Sequence, residues 1–209
     1  MTRIPGHTIA DAPAAARPLL EGVVPFSPTG KLLNLHAQMA HSPVVLASYT
    51  SIRQATAAHG TLEPRVRSAL MMATAGVSQS VYAQAVTSML ALRSGWSPDQ
   101  VARLRDGHPL GEDKVDSLVR VVREAAVRAG QVSELTWRQA AACGWSSEEL
   151  AEAFAYLALT VFTAYFLNYA QTPLDLPTGV AAGRGTSKTE PARTPAELPA
   201  DAPIASGRE

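Results

Sequence analysis

A chain of 209 residues, 46% hydrophobic and 17% charged, is long enough to bury one sizeable core. Its 18 basic and 18 acidic residues cancel and are scattered without blocks of like charge, so the charge pattern does not point to nucleic acid or an acidic membrane surface. The single cysteine, Cys143, excludes an intramolecular disulfide and any CxxC chemistry within one chain, and reads as a small buried residue near a helix end.

The opening Met1-Thr-Arg-Ile-Pro-Gly6 has no continuous apolar run of the kind that directs secretion. The cytoplasm is therefore the expected compartment, and residues 1–12 read as flexible. Residues 13–17 suit a helical turn that Pro18 limits. A helical pattern returns at 32–40, and His41-Ser42-Pro43 resets the chain, with Ser42 suited to an N-cap and Pro43 to the first helical position. The helix that follows carries Val44, Val45, Leu46, Tyr49 and Ile52 and stops at Gly60. Pro64 opens the next, through Val66, Leu70 and Met71 to about Gly76. Residues 78–94 form another helix, ended by Gly95. Trp96 follows, and then Ser97-Pro98-Asp99-Gln100, a capping box with proline at the first helical position.

Val115, Leu118, Val119, Val122, Ala126 and Val127 make an apolar stripe that predicts a helix over 115–129, ended by Gly130. Ser133 caps a short helix reaching Cys143, and Ser146 caps a long one reaching about Gln171. Gly144-Trp145-Ser146 repeats the corner Gly95-Trp96-Ser97, which predicts a two-part helical bundle, chance reuse of capping chemistry being the alternative. No stretch alternates with period two, so the fold class is all-α. Residues 153–167 are almost wholly apolar, but they are short for a membrane span, are interrupted by Thr160 and Thr163, and follow the acidic turn Glu148-Glu149-Leu-Ala-Glu152. A helix buried in a bundle or a subunit interface is expected there, not one in a membrane. Residues 178–209 hold no aromatics and are rich in Pro, Ala, Gly, Ser and charge, the composition of a disordered tail.

Several landmarks resemble the AhpD-like alkylhydroperoxidase and carboxymuconolactone decarboxylase superfamily. They are Asn34-Leu-His-Ala-Gln-Met-Ala-His41-Ser-Pro43, Thr61-Leu-Glu-Pro64-Arg-Val-Arg67, Gly95-Trp-Ser97, Phe162-Thr-Ala-Tyr-Phe166 and Thr172-Pro-Leu-Asp-Leu-Pro177. The resemblance covers about residues 15 to 180. It implies an AhpD-like helical bundle over 13–177 that assembles as a homo-oligomer, trimer or hexamer. The peroxidase branch carries a CxxC pair near a helix start, a His four residues after the second Cys, and a Glu one helical segment earlier. A helix N-terminus and a proton acceptor lower the thiol pKa there, and the second thiol resolves the sulfenic acid. Anchored on Gly95, those positions correspond to Ser80 and Ala83 for the thiols, Thr87 for the His and Ser68 for the Glu. The decarboxylase branch resembles the same frame with a Glu at the second thiol position and a retained His, where this chain has Ala83 and Thr87. In the closing helix, an Asn and an Asn-His pair of the matching subgroup correspond to Ala164, Leu167 and Asn168.

Tyr82 with Ser80, Gln84, Thr87 and Ser88 forms a weakly polar, uncharged helix face. Tyr82, Gln84 and His41 are expected to line a pocket for a small neutral ligand, with packing against a neighbouring helix or subunit as the alternative for that face. His41 reads as bonding the backbone at its helix corner in preference to binding a metal. His36 and His41 have no supporting carboxylates nearby, so no metal is expected, nor any cofactor. The function expected is a degenerate AhpD-like protein without peroxidatic thiols, binding a small molecule or serving as a scaffold. The alternatives are a non-redox decarboxylase-, lyase- or isomerase-like enzyme on the same scaffold, a protein-interaction partner, or a peroxidase by family inheritance only.

Overall fold

Proline and serine punctuation sets most of the helix boundaries in the computed structural model, which describes residues 2–27 and 29–176. Among the described residues there are α-helices and one 3₁₀ turn but no strand. The tail expected at 178–209 lies outside them. α1 (Arg17–Val23) leads into the 3₁₀ turn Val24–Phe26, and α2 (Asn34–Met39) precedes α3 (Pro43–His59). α4 (Pro64–Val77), α5 (Val81–Arg93) and α6 (Pro98–Asp106) form one unit, and α7 (Asp113–Val127), α8 (Glu134–Ala142) and α9 (Ser147–Ala170) form a second.

Several boundaries differ from the sequence expectation by a residue or two, and two of the differences have a plain local cause. Pro18 sits in the first turn of α1, where its missing N–H has no helical partner to lose, so it starts a helix instead of limiting one. α5 begins at Val81, later than expected, because Gln79 adopts a left-handed φ of 54° that separates it from α4. Ser80 then caps α5, its hydroxyl accepting from the Ala83 N–H at 3.3 Å. Ser42 lies at the N-cap of α3 but makes no side-chain capping bond.

The two units repeat one corner in detail. Gly95 and Gly144 both take positive φ, 99° and 87°, which a glycine adopts without the Cβ penalty. Trp96 donates its indole N–H to the Arg65 carbonyl and Trp145 to the Lys114 carbonyl, each at 2.8 Å and each across an interval of 31 residues. Arg65 lies 3.6 Å from the Trp96 ring centre, and Lys114 lies 4.4 Å from that of Trp145. Ser97 with Gln100 and Ser146 with Glu149 both complete the capping box. The corner is thus one physical device used twice: indole clamp, cation on the ring, and reciprocal cap.

α4 is the hub. It packs against α5, α6, α7 and α9, and small residues along it (Ala69, Ala73, Ala75 and Gly76) let these neighbours close in. A Cβ on Gly76 would lie 2.2 Å from the Arg105 carbonyl oxygen of α6. Arg123 of α7 donates to the Arg105 carbonyl at 3.1 Å and reaches those of Ala73 and Leu104 at 3.4 Å, tying α4, α6 and α7 at the same place. α9, with 24 residues and a mean hydropathy of 1.6, is by length and composition apolar enough to cross a membrane. Here it packs against α3, α4, α5 and α7.

Gly76→Ala forces one backbone away from another, so a loss of about 1–3 kcal/mol is expected from overpacking. Urea unfolding checks this: the midpoint should fall with the m-value unchanged.

Candidate functional site

α2, α3, α4, α5 and α9, with Phe26 of the 3₁₀ turn, enclose a cavity of about 430 Å³. α5 contributes Ala83, Val86, Thr87 and Leu90, a stripe at intervals of three and four that puts one helical face on the cavity. α4 contributes Pro64, Arg67, Ser68 and Met71, and α9 contributes Tyr156, Leu159, Thr160 and Thr163. Apolar side chains from α2 and the turn before it close one wall.

Three of the four positions expected to correspond to the reactive groups line this cavity. Ser68 bonds the Ser94 hydroxyl at 2.6 Å, while the two hydroxyls also reach the carbonyls of Arg65 (2.9 Å) and Ala91 (2.8 Å). The two hydroxyl protons are shared among these three contacts, two bonds at a time, and the pair bridges α4 and the end of α5. The Thr87 hydroxyl turns back on its own helix, donating to the Ala83 carbonyl at 2.8 Å, and lies 3.4 Å from Met72 Sδ. Ala83 offers a methyl group. Ser80 is buried but is not part of the lining; it is engaged as the α5 cap.

The expected lining residues Tyr82, Gln84 and His41 lie elsewhere, and the reason is the phase of α5. With Ala83 and Thr87 turned to the cavity, Tyr82 falls on another buried side. There its hydroxyl donates to Asp175 Oδ1 at 2.5 Å and accepts from the Leu35 N–H at 3.3 Å. Burial, then the Asp175 carboxylate, pushes the Tyr82 phenol far above its ordinary value, so it remains a hydroxyl. Gln84 reaches the Ala75 carbonyl at 3.4 Å. His41 stacks on His7, with His7 Nε2 and His41 Nδ1 3.0 Å apart, and fastens the N-terminal segment to the α2–α3 corner. Among the described residues no His, Cys, Asp or Glu cluster could hold a metal. Cys143 ends α8 half-buried and lines neither this cavity nor the outer groove described below.

The polar chemistry of the cavity comes from groups that the sequence reading did not assign to it. Arg53 Nη1 donates to the Tyr49 hydroxyl at 3.3 Å, and that hydroxyl lies 3.3 Å from His36 Nε2. The Tyr49 hydroxyl and Nε2 thus share one hydrogen bond, whose direction follows the imidazole tautomer. Nδ1 is buried and has no hydrogen-bond partner among the described residues. Burial, with a smaller effect from Arg53, pushes the imidazole down to about 4, so it is neutral at physiological pH. In the same lining Arg67 bonds the Tyr156 hydroxyl, which donates to Glu152 Oε1 at 3.1 Å. Glu152 also accepts from the N–H groups of Thr61 and Leu62 and from the Thr61 hydroxyl. Arg93 completes the cationic part of the lining, which includes no acidic side chain among the described residues. The i, i+4 spacing of Tyr49 and Arg53 on α3 was the available signal for one of these pairs.

No protein-family profile and no curated protein matches the chain. Solved structures do. A peroxidase-related protein with an alkylhydroperoxidase AhpD core, from Ralstonia eutropha JMP134, superposes with a TM-score of 0.71 at 16% identity, covering 83% of this chain and 92% of that one. The debrominase Bmp8 in its apo form gives 0.72 at 14% identity, covering 87% and 95%. A cysteine-to-alanine variant of Bmp8 in complex with 2,3,4-tribromopyrrole gives 0.67 at 16% identity, covering 87% and 94%. The fold is therefore AhpD-like and all-α, as the resemblance implied.

The buried His36 makes stability depend on pH. Folding holds it near 4 while the unfolded chain restores the ordinary 6.5, so between these values the unfolded state binds more protons. The contribution is fully present above about pH 6.5 and is lost toward pH 4, amounting to about 3 kcal/mol. Urea unfolding compared at about pH 7 and about pH 4 should show this loss, and His36→Gln should remove that share of the pH dependence.

Proposed function

We propose that this AhpD-like chain binds a small molecule in the α2–α3–α4–α5–α9 cavity without thiol peroxidase chemistry. The carrying observation is that the cavity presents hydroxyls and a methyl group at Ser68, Ala83 and Thr87, with no sulfhydryl in its lining. A thiolate that attacks peroxide and a second thiol that resolves the sulfenic acid have no substitute in such groups, because a hydroxyl forms no disulfide. Nor is a serine activated here. Ser68 and Ser94 satisfy one another, and the neutral His36 is bonded to Tyr49, not to either serine. A volume of about 430 Å³ falls in the range of small-ligand sites, and apolar walls with a few converging polar groups are their usual make-up. That a chain of like fold has been crystallised with 2,3,4-tribromopyrrole supports a single-ring occupant.

A second reading, a non-redox enzyme of the lyase or isomerase kind, is favoured by one observation. The chain Arg53–Tyr49–His36 in the cavity wall is a hydrogen-bonded path ending on an imidazole.

The proposal includes a homo-oligomer. Between α7 and α9, with Val45 of α3, lies an outer groove of about 690 Å³ bordered by Phe154, Val161, Phe162, Tyr165 and Tyr169. Phe154, Tyr165 and Tyr169 are each more than 60% exposed in the single chain. So much contiguous aromatic surface is the mark of an interface, and a second copy is the occupant that the resemblance implies.

Peroxide consumption with a dithiol reductant should stay at the level of a denatured control; turnover above it would sink the non-redox reading. Native mass spectrometry of freshly isolated protein should show an oligomer, with any retained ligand released when Ala83→Leu fills the cavity. For the assembly, Tyr165→Glu should shift the mass measured by light scattering to that of one chain while the helical circular dichroism is kept.

A further inference from the structure

The proposed ligand site has a charge asymmetry that specifies its ligand more narrowly. Overall the chain is neutral, with 18 basic and 18 acidic residues, yet among the described residues the cavity lining includes Arg53, Arg67 and Arg93 and no carboxylate. Arginine is always protonated, and a guanidinium beside an apolar space costs free energy unless an anion or water serves its donors. The described ion pairs use Arg65, Arg105, Arg128 and Arg138 and involve neither Arg53 nor Arg67. Each of these two is instead held by a tyrosine oxygen, Arg53 by Tyr49 and Arg67 by Tyr156. Arg53 also lies over the Phe26 and Tyr49 rings, 5.9 and 5.7 Å from their centres. Each guanidinium carries five N–H donors in a fixed fork, so the tyrosine fixes its position and leaves most donors for another acceptor. The nearby acid, Glu152, is already satisfied by Thr61, Leu62 and Tyr156.

We infer that the cavity selects an organic carboxylate: a molecule with one ring or a short acyl body whose carboxylate is received by the Arg53 and Arg67 guanidiniums. The apolar walls formed by Leu33, Leu35, Met71, Val86, Leu90 and Leu159 take the body. The planar fork matches a carboxylate in two parallel bonds, and these walls disfavour a strongly hydrated phosphate. This rests on reading the cavity as a ligand site, and it replaces the neutral ligand expected from the face of α5 that carries Tyr82 and Gln84, residues that do not line the cavity.

The test is isothermal titration of the full-length protein with benzoate and octanoate, their amides benzamide and octanamide, inorganic phosphate, and 2,3,4-tribromopyrrole. At least one carboxylate should bind ten-fold or more tightly than its own amide, with phosphate weaker than that carboxylate. Arg53→Gln and Arg67→Gln should each cut that preference several-fold while the circular dichroism stays unchanged. If either variant fails to fold, the carboxylate-to-amide ratio of the wild type decides alone. Amides or tribromopyrrole binding as tightly as the carboxylates, or phosphate more tightly, would overturn the anion inference and leave the ligand site standing. Binding of none of the probes would overturn both.

Discussion

The close approach of α4 to its neighbours is the constraint on which the rest of this molecule depends. Gly76 leaves no room for a side chain against the Arg105 backbone, and α4, with buried alanines before that glycine, packs against α7 and α9 as well. Arg123 reinforces the same junction by donating to the Ala73 carbonyl of α4 and to those of Leu104 and Arg105 in the last turn of α6, where a helix leaves carbonyls without helical partners. With α4 pinned there, its other end is carried to the cavity, where Pro64, Arg67, Ser68 and Met71 form one wall. The tight and hollow parts of the structure are thus two ends of one helix.

Much of this was legible in the sequence because it is local. The capping boxes at Ser97 and Ser146, the proline starts of α3, α4 and α6, and the repeated Gly-Trp-Ser corner involve residues within a few positions of one another. The N-terminal boundary was misplaced because Pro18 reads the same whether it ends one turn or opens the next. The site was harder to read. α5 buries Tyr82, Ala83, Ala85, Thr87, Ser88 and Ala91, residues spread over most of its circumference, so no periodicity says which face meets the cavity. Only the placement of α4 and of Asp175 selects Ala83 and Thr87 over Tyr82. His36, Tyr49, Arg53 and Arg67 come from three helices, and their meeting is a property of the tertiary fold.

The chemistry of the cavity has a consistent character. Its hydroxyls are turned into the scaffold: Thr87 onto its own backbone, and Ser68 and Ser94 onto each other. Its tyrosines serve as props, one linking Arg53 to His36 and the other linking Arg67 to Glu152. Such an arrangement favours recognition over bond-making, since the groups with the strongest hydrogen-bonding capacity are fixed cations instead of nucleophiles. The uncompensated Nδ1 of His36 is the exception, a polar atom that the resting fold does not satisfy.

α9 extends the second unit well beyond its counterpart, with 24 residues against nine in α6. The added turns put Leu159, Thr160 and Thr163 on the inner cavity and Val161, Phe162 and Tyr165 on the outer groove, so adjacent residues of one rod face two different spaces. A helix transmits axial rotation and sliding far better than it absorbs them. In the proposed function, a ligand in the interior and a second copy on the groove would act on a shared mechanical part, and by reciprocity whatever bias one exerted on its position the other would feel in equal measure.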